Sequence, residues 1–465
     1  MTNSKKSMPL NQRAHKERLI HFIFLSIYNY FLIPLAQCLL PLVSLFIPKV
    51  KEISRQQKNI WERLDPQLLK LKPGPRLWFH VSSAGEFLQA KPVIESLKKL
   101  RPELQILLTY VSPSATKWVQ NFSEADLIEF YPFDSKKNVR RLLDLFKPQA
   151  VVLVKFDLWP NLIVETSKRK IPSLLISATL TETSKRFSNT LARWFFKSIY
   201  DHLSRILTVS EKDAQLFLIT NPHHQGISVC GDTRTDSVLQ RQAFFASQEL
   251  SPFFQKLQKI YYPILVAGST WPEDEKILTS AWKQFILKIK PSHQVQPLLI
   301  LVPHEPLESH LLHIESLLKQ HQLSFVRWTH WINKTSDTKP HEDVLIFNQV
   351  GGLAQLYRIS NGAYVGSGNG GVHNTMEPAA WSLPVLFRNT YQNAPEAVAL
   401  VQQNIFQVVH TSEELTEKLN QVLLSVDLQN ELGSAARQYL EKSQGAAEKS
   451  AQQILQLLNF SNRPY

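Results

Sequence analysis

Cysteine is scarce in this chain of 465 residues, and its two copies, Cys38 and Cys230, lie far apart. They form no Cys-x-x-Cys motif and no cysteine–histidine ligand spacing, which argues against a disulfide framework and a structural zinc site. The 15 histidines form no His-Glu-x-x-His motif, so we predict no metal site. A reducing compartment fits this composition.

Acidic residues are fewer than basic ones, with 39 Asp and Glu against 52 Lys and Arg and a formal net charge of +13. Such an excess is typical of proteins that bind nucleic acid, an anionic membrane surface or an anionic substrate. No basic stripe with interleaved stacking aromatics is present, so we predict no nucleic-acid partner. The length exceeds the roughly 100–200 residues of one domain, and two domains are therefore expected.

Charged residues are absent between Arg18 and Lys49, an apolar run longer than the roughly 20 residues that span a bilayer. Basic residues flank this run on both sides, so their distribution does not predict how the run would be oriented across a membrane. We predict a basic tail over 1–18 and a membrane-associated segment over 19–48, which either spans the bilayer or lies in its interface. The basic flanks suit an anionic membrane surface. A buried core hairpin is the alternative.

From about Pro73 onward, short β-rich runs alternate with helical patterns, which indicates βαβ units and parallel sheets. We predict a Rossmann-like domain over 49–235, a linker over 236–260 and a second Rossmann-like domain with carboxyl-terminal helices over 261–465. Ligands bind at the carboxyl ends of the strands in such folds, so a cleft between the domains is expected. The predicted strands are Leu77–Val81, Gln105–Thr109, Ala150–Val154, Ser173–Ile176, Arg205–Val209, Pro263–Ala267, Pro297–Val302, Asp343–Phe347, Gly362–Val365, Pro384–Phe387 and Phe406–Val409.

Glycine is also rare, since the chain has 14 glycines and seven of them fall between positions 351 and 371. The segment Ala363–Trp381 is typical of a strand, a glycine-rich loop and a helix start at Asn374-x-x-Glu377. Backbone N–H groups converge on an anion in such a turn, so one hypothesis is a phosphate-bearing ligand. Ordinary tight turns and a helix-capping box are the alternative.

Polar residues follow several predicted strands. Glu86 begins a helix, where a partly buried carboxylate can act as general base or be favoured by the helix dipole alone. Lys155 and Asp157 are expected to pair with each other, with a ligand or with the other domain. Arg234 is a candidate phosphate or carboxylate clamp, or a solvated surface residue. In the second domain, hydroxyls and a histidine at strand ends can bind phosphate oxygens or cap helices.

The motifs form an ordered series that resembles the Kdo (3-deoxy-D-manno-octulosonic acid) transferases, which build the inner core of lipopolysaccharide. The similarity covers nearly the whole chain. It implies an α/β, GT-B type fold with two doubly wound domains, an acceptor-side first domain and a CMP-sugar-binding second domain. It also implies transfer of Kdo from CMP-Kdo, with inversion, to a lipid A precursor (lipid IVA) at the cytoplasmic face of the inner membrane. The motifs are SSAGE, LWPN, GDTRTD, GSTWPEDE, VPHEP, VGGLAQLY and GG-x-HN-x-x-EPAA.

The resemblance assigns roles to individual residues. Glu86 matches the family's general base, and Asp157 and Arg234 match positions that are thought to stabilise the transition state. Glu86 and Glu377 are expected to face one interdomain cleft. The candidate donor-binding residues, taken from the strand ends and the matched motifs, are Ser269, Thr270, His304, Glu305, Val350, Gly351, Gly352, Asn374, Thr375, Met376 and Glu377.

The chain departs from the family's motifs at several positions. His304-Glu305 replaces Arg-His, Val350-Gly351-Gly352 replaces Met-Gly-Glu, Lys155 replaces a glutamate, Asp157 replaces the next glutamate and Arg234 replaces a lysine. Arginine and histidine differ in donor geometry, so the nucleotide contacts are expected to differ. A catalytically inactive, membrane-attached protein that binds a nucleotide sugar or a lipid is the alternative.

The implied mechanism uses Glu86 to deprotonate an acceptor hydroxyl, which attacks the anomeric carbon of Kdo as CMP leaves. Charge then builds on the CMP phosphate near Gly366–Glu377, where helix N–H groups and nearby donors stabilise it. CMP leaves with a single phosphate, so we expect transfer without a metal or other cofactor. No protein partner is inferred.

Overall fold

The amino-terminal region is a long apolar helix. The computed structural model describes residues 19, 21–181, 184, 186, 189–289, 296–333, 342–368 and 370–461, so the predicted basic tail lies outside the described residues. Within the described chain, one helix, His21–Phe46, is long and apolar enough to cross a membrane by length and composition. Its most apolar window is only 6% buried, which does not fit the alternative of a buried core hairpin. Association with a membrane stays a prediction.

This helix contains a π-helical turn, Tyr28–Leu32, followed by an α-helical part, Ile33–Phe46. Two helices, Pro48–Gln57 and Ile60–Leu69, then lead to the first strand. Gln57 Nε2 donates to the carbonyl oxygen of Tyr131 at 3.0 Å, which fixes the second of these three helices to the first sheet.

The first sheet has seven parallel strands, which are nearly continuous apolar runs because helices cover both faces. The strands are β1 Arg76–Val81, β2 Gln105–Tyr110, β3 Leu127–Phe130, β4 Ala150–Val154, β5 Ser173–Ala178, β6 Arg205–Thr208 and β7 Ile227–Val229. Their order is β3-β2-β1-β4-β5-β6-β7. The helices are Ala84–Leu100, Pro113–Val119, Lys136–Phe146, Pro160–Lys168, Thr190–Tyr200 and Glu211–Thr220.

The second sheet also has seven parallel strands. They are β8 Ile264–Thr270, β9 Leu298–Pro303, β10 Phe325–Arg327, β11 Val344–Ile346, β12 Gly362–Val365, β15 Val385–Arg388 and β16 Gln407–Val409, with a small hairpin of β13 Ser367–Gly368 and β14 Gly371–Val372. Their order is β10-β11-β9-β8-β12-β15-β16. The helices are Thr233–Ser247, Pro252–Ile260, Pro272–Ile289, Glu308–Gln320, Trp328–Trp331, Leu353–Arg358, Met376–Ala380, Pro395–Gln402, Ser412–Leu423 and Val426–Lys442.

Both sheets are doubly wound, as predicted. The strand order reverses between β1 and β4 in the first sheet and between β8 and β12 in the second. At such a switch point the loops after two adjacent strands diverge and leave a crevice, which is where ligands bind in open α/β sheets. Each sheet therefore offers one candidate binding crevice.

The boundaries of the two units differ from the predicted ones. One unit is Met1–Ser237 with Gln444–Tyr465, and the other is Val238–Ser443. The predicted linker 236–260 is largely helical, and the last helix, Ala446–Ser461, packs on the first sheet rather than belonging to the second domain. The apolar face of that last helix predicts burial but does not specify which sheet covers it.

Asp236 and the apolar face of the last helix fix this arrangement. Both carboxylate oxygens of Asp236 accept backbone hydrogen bonds, from Gly445 at 2.7 Å and from Ala447 at 2.8 Å. Ala451 and Ile454 are fully buried in the same apolar cluster as β1 and β4. The chain thus returns to its first unit at the carboxyl terminus.

The substitution Ile454→Ala tests this assignment. We expect it to destabilise the first unit by about 2–5 kcal/mol, the usual cost of removing a buried isoleucine side chain. Hydrogen exchange should then become faster in β1 and β4 and stay unchanged in β8 and β9. The matched variant Ile314→Ala, at a fully buried position of the second unit, should give the reverse pattern. Faster exchange in β8 and β9 of Ile454→Ala would contradict the boundary.

Candidate active site

Glu86 lies in the first turn of the helix that follows β1. Its Oε2 accepts hydrogen bonds from the N–H groups of Ser82 at 2.6 Å and Ser83 at 3.0 Å, while its own N–H donates to Ser83 Oγ at 3.4 Å. This is a capping box, so the structural role considered for Glu86 is present. Burial raises the pKa of the Glu86 carboxyl above its usual value. The same Glu86 carboxyl therefore caps the helix and has a raised pKa.

Asp157 faces Glu86 across the switch point of the first sheet. It follows β4, which lies next to β1, and its Oδ1 accepts a hydrogen bond from Ser82 Oγ. Burial, and then repulsion from the Glu86 carboxylate, raises the pKa of Asp157 to about 7. Two carboxyl groups arranged in this way titrate as a pair, because a charge on one raises the pKa of the other.

His80, inside β1, lies next to Asp157. The residue is fully buried, and burial lowers the pKa of its imidazole to about 3, so the ring is neutral. Its Nε2 lies 3.6 Å from Asp157 Oδ2, and its Nδ1 lies 2.8 Å from Thr109 Oγ1. Sequence reasoning missed His80, for which the only signal is a polar side chain within an otherwise apolar strand.

Lys155 and Arg234 are connected to Glu86 in two different ways. Lys155 has a left-handed backbone conformation, with φ of 58°, and its positive charge partly offsets the effect of burial on the pKa of Glu86. The Arg234 guanidinium lies 3.4 Å from Asp232 Oδ2, and Asp232 Oδ1 accepts a hydrogen bond from Gln89 at 3.1 Å. Because Gln89 is one turn beyond Glu86 in the same helix, these contacts tie Arg234 to the helix that carries Glu86.

In the second unit, Asp274 holds the glycine-rich loop in place. This fully buried carboxylate accepts hydrogen bonds from the N–H groups of Trp271 and Ser367, both at 3.0 Å, and from Tyr364 at 3.1 Å. Arg388 donates to Asp274 at 2.8 Å and to the carbonyl oxygen of Ser367 at 2.7 Å. The charge of Arg388 compensates the buried carboxylate, so Asp274 has a positioning role.

Gly366 allows the loops after β8 and β12 to approach each other. A Cβ atom at this position would lie 2.1 Å from the carbonyl oxygen of Ser269, so only glycine fits. The Gly366 N–H donates to the Gly268 carbonyl oxygen at 2.8 Å. Ser269 and Gly366 therefore meet at the switch point. Thr270 is buried and donates to Glu275 at 2.9 Å, which matches the capping alternative rather than a phosphate contact.

The segment from Asn374 to Glu377 differs from the predicted helix start. Its helix, Met376–Ala380, has five residues and no side-chain cap, so it supplies only a small dipole to an anion. Asn374 has φ of 54°, and its buried Oδ1 has no hydrogen-bond partner among the described residues. Glu377 accepts a hydrogen bond from Arg241 at 2.7 Å, a partner that sequence reasoning missed.

His304 belongs to a stack of three aromatic rings. Its ring centroid lies 4.7 Å from that of Trp271 and 4.7 Å from that of His373, with interplanar angles of 21° and 24°. Burial, and then the neighbouring His304, lowers the pKa of His373. Glu305 is exposed, and its backbone oxygen lies 2.9 Å from the Leu307 N–H nitrogen, which donates to it, and 3.1 Å from His310 Nδ1. Trp271 and His373 were not predicted as site residues.

Val350, Gly351 and Gly352 form the turn after β11. Val350 is exposed, and both glycines have left-handed φ angles, of 91° and 94°. Because β11, β9, β8 and β12 are neighbours in this order, the loops that carry the predicted donor-binding residues follow the carboxyl ends of adjacent strands. In the part of the chain that the structure describes, no group of three or more His, Cys, Asp or Glu could hold a metal ion.

Residues 56–237 match the family model for 3-deoxy-D-manno-octulosonic acid transferase (kdotransferase), and full-length relatives match on either side of this range. The resemblance of this chain to the Kdo transferases, which are glycosyltransferases, is thereby confirmed. The matched range contains the whole first sheet with Glu86, Asp157 and Arg234.

Relatives extend the similarity over both units. The 3-deoxy-D-manno-octulosonic acid transferase of Haemophilus influenzae is 24% identical over 424 residues, which are 90% of this chain and 94% of that protein. The enzyme of the same name from Aquifex aeolicus is 28% identical over 381 residues, 79% of this chain and 92% of its own.

Solved structures show the fold class. The UDP-GlcNAc 2-epimerase of Neisseria meningitidis, bound to UDP-GlcNAc, superimposes with a TM-score of 0.59 at 15% identity, over 82% of this chain and 100% of its own. The predicted GT-B type fold is thereby confirmed. The shared cleft and the individual residue roles stay predictions.

The raised pKa of Asp157 predicts the pH dependence of stability. The pKa of Asp157 is raised from the usual value of 3.8 to about 7 in the folded protein. The folded protein therefore binds the proton of this carboxyl more tightly than the unfolded chain does. The resulting stability is present at about pH 4 and is lost as the pH rises through about 7. Asparagine cannot ionise. The melting temperature of Asp157→Asn minus that of the wild type should therefore increase from pH 4 to pH 8. Asp144→Asn is the control for loss of an exposed carboxylate, and an equal gain there would contradict the assignment.

Proposed function

We propose that this protein transfers Kdo from CMP-Kdo to the lipid A precursor lipid IVA, with inversion, at the cytoplasmic face of the inner membrane. The observation that carries the proposal is the pair of the partly buried Glu86 and the buried Asp157 at the switch point of the first sheet. Similarity to the Kdo transferases supports Kdo transfer in lipopolysaccharide biosynthesis. The donor, acceptor, stereochemistry and membrane face are our inference.

Glu86 is the proposed general base. Burial raises its pKa and makes the carboxylate a stronger base. Two backbone N–H groups and the charge of Lys155 stabilise its ionised form. Asp157, with a pKa of about 7, then carries the proton that the pair shares. This division leaves Glu86 anionic and ready to accept a proton from an acceptor hydroxyl.

The reaction forms one bond and breaks one bond at the anomeric carbon of Kdo. The acceptor oxygen forms a new bond to this carbon, its proton passes to Glu86, and the bond to the CMP phosphate breaks with the electron pair leaving on the phosphate. Attack from the face opposite to the leaving group inverts the configuration. Arg234 is proposed to stabilise the charge that develops in the transition state.

The second unit is proposed to bind CMP-Kdo around its own switch point. Because the helix Met376–Ala380 is short, the phosphate needs additional donors, which we assign to Asn374, Ser269 and the backbone N–H groups of the glycine-rich loop. His304 replaces an arginine of the family's motif, and its stack with Trp271 and His373 offers a flat surface instead of a guanidinium fork.

The decisive experiment is incubation of the detergent-solubilised protein with CMP-Kdo and lipid IVA, followed by mass spectrometry of the lipid. We expect mass increments of one or more Kdo residues, whose number the same spectrum gives. A parallel incubation with EDTA should give the same product, because a single phosphate leaves and no metal is required. Binding of CMP without any increment would favour an inactive nucleotide-sugar-binding protein. Loss of transfer in EDTA, restored by a divalent ion, would contradict metal independence.

The base assignment is tested by Glu86→Gln. The amide keeps the size of the side chain and cannot accept the proton, so kcat should fall about 100- to 10,000-fold. Glu95→Gln is the matched control, because Glu95 lies in the same helix and pairs with Lys91 at 2.5 Å. Transfer near the wild-type rate by Glu86→Gln would rule out this carboxylate as the base.

The donor site is tested by Asn374→Gly. Glycine tolerates the left-handed φ of 54° and removes the amide, so the loop keeps its backbone conformation. Calorimetric titration should show CMP binding weakened about tenfold or more, the effect of losing one hydrogen bond to a charged group. Asn404→Gly, at an exposed position with φ of 59°, should bind CMP like the wild type. Unchanged binding by Asn374→Gly would place the nucleotide elsewhere.

A further inference from the structure

A cavity of about 490 Å³ lies between the amino-terminal apolar helix and the first sheet. One wall consists of Leu32, Ala36 and Leu40 of this helix, and the opposite wall includes Tyr131 and Trp159. Its volume falls within the roughly 300–1,000 Å³ of small-ligand sites. Its lining is mostly apolar, so its occupant must be apolar too.

Hydrogen bonds fix the cavity in place. Tyr28 in the apolar helix donates to Asp134 Oδ2 at 2.9 Å, and Tyr131 donates to the other oxygen, Oδ1, at 2.7 Å. Asp134 also accepts the N–H of Asn161 at 3.1 Å. A buried carboxylate with these three donors attaches the helix to the sheet and keeps the two cavity walls apart.

The inner wall of the cavity is shared with the candidate active site. The rings of Tyr131 and Trp159 lie 5.1 Å apart, and their centroids lie 4.5 Å and 5.5 Å from that of His80. His80 in turn lies 3.6 Å from Asp157. A molecule in the cavity is therefore separated from the catalytic pair by one layer of aromatic rings.

Basic residues lie beside the cavity. The helix Lys136–Phe146 begins two residues after Asp134, and the Lys136 ammonium lies 5.8 Å from the ring centroid of Tyr30 in the apolar helix. Lys136 and Lys137 line the adjoining surface depression together with Arg140 and Arg141. An apolar cavity next to a basic surface fits an amphiphile that has an acyl chain and an anionic head group.

We propose that this cavity binds one fatty acyl chain of the phosphorylated lipid acceptor, with Lys136 and Lys137 contacting a head-group phosphate. The proposal rests on the proposed function, because it names the part of the acceptor that this unit holds. Arg140 and Arg141 are engaged with Glu165 at 2.7 Å and Asp65 at 2.5 Å, so the two lysines are assigned to the phosphate.

The location of the chain is tested with lipid IVA that carries a photoactivatable diazirine at the end of one acyl chain. After irradiation of the full-length protein in detergent micelles, peptide mass spectrometry should find the label on Tyr131–Phe133 and Trp159 of the inner wall. Phosphatidylglycerol with the same diazirine chain is the comparison. Equal labelling of the inner wall by both lipids would overturn the assignment to the acceptor, and labelling only on the outer face of the apolar helix would overturn the cavity itself.

The energetic role is tested with Ala36→Trp, which fills the cavity, and Cys38→Trp, an exposed residue of the same helix that does not line it. The measured quantity is kcat/KM for intact lipid IVA divided by kcat/KM for the same acceptor without acyl chains. Ala36→Trp should lower this ratio about tenfold, the effect of displacing about two buried methylene groups, and Cys38→Trp should leave it unchanged. An unchanged ratio in Ala36→Trp, or an equal fall in both variants, would refute the proposal.

The experiments can refute the acyl site and the proposed Kdo transfer independently of each other. Inner-wall labelling that Ala36→Trp abolishes and Cys38→Trp does not would establish the acyl site even if no Kdo were transferred, and the proposed function alone would then be wrong. Transfer of Kdo with label confined to other surfaces would leave the function standing and remove the acyl site.

Discussion

The site in the first unit depends on Ser82, which contacts both acidic groups at once. Its N–H donates to Glu86 and its hydroxyl donates to Asp157, so the loops after β1 and β4 are joined where the strand order reverses. Burial opposes charge on both carboxyls, and two adjacent carboxyls cannot both ionise without a further cost. The strand order thus creates the proton-sharing pair, because it brings these two loops together.

The second unit also has a doubly wound sheet, although its strand order differs, and its buried acid has a charged partner. Asp274 also follows a central strand and contacts the neighbouring loop, yet Arg388 pairs with it at 2.8 Å. Burial raises the pKa of Asp274 and the charge of Arg388 opposes this effect, while the carboxylate orders the backbone of the glycine-rich loop. The switch point of the first unit thus holds two carboxyls joined by Ser82, whereas that of the second holds a loop ordered by a carboxylate that pairs with a guanidinium.

Much of the fold could be predicted from the sequence, because parallel strands buried on both faces leave long apolar runs. The sequence analysis missed β3, β7 and β10, which have three or four residues, and the hairpin strands β13 and β14, which have two. Such short runs give a weak pattern, although β11 and β16, with three residues each, were predicted. Glu86 and Asp157 were found because each follows a strong strand. The contact of Ser82 with Asp157, 75 positions away, leaves no local signal, and neither does the choice of sheet for the last helix.

The apolar amino-terminal helix also packs against the first unit. It contributes Tyr28 to the hydrogen bonds around Asp134 and one wall of a cavity whose other wall adjoins His80. A lipid acceptor has a reacting head group and chains that resist transfer to water. If one chain moves from the bilayer into a cavity bounded by a membrane-associated helix, its apolar surface stays largely out of water. On this proposal the head group would reach Glu86 without the cost of exposing that chain, and the same helix would link membrane association to catalysis.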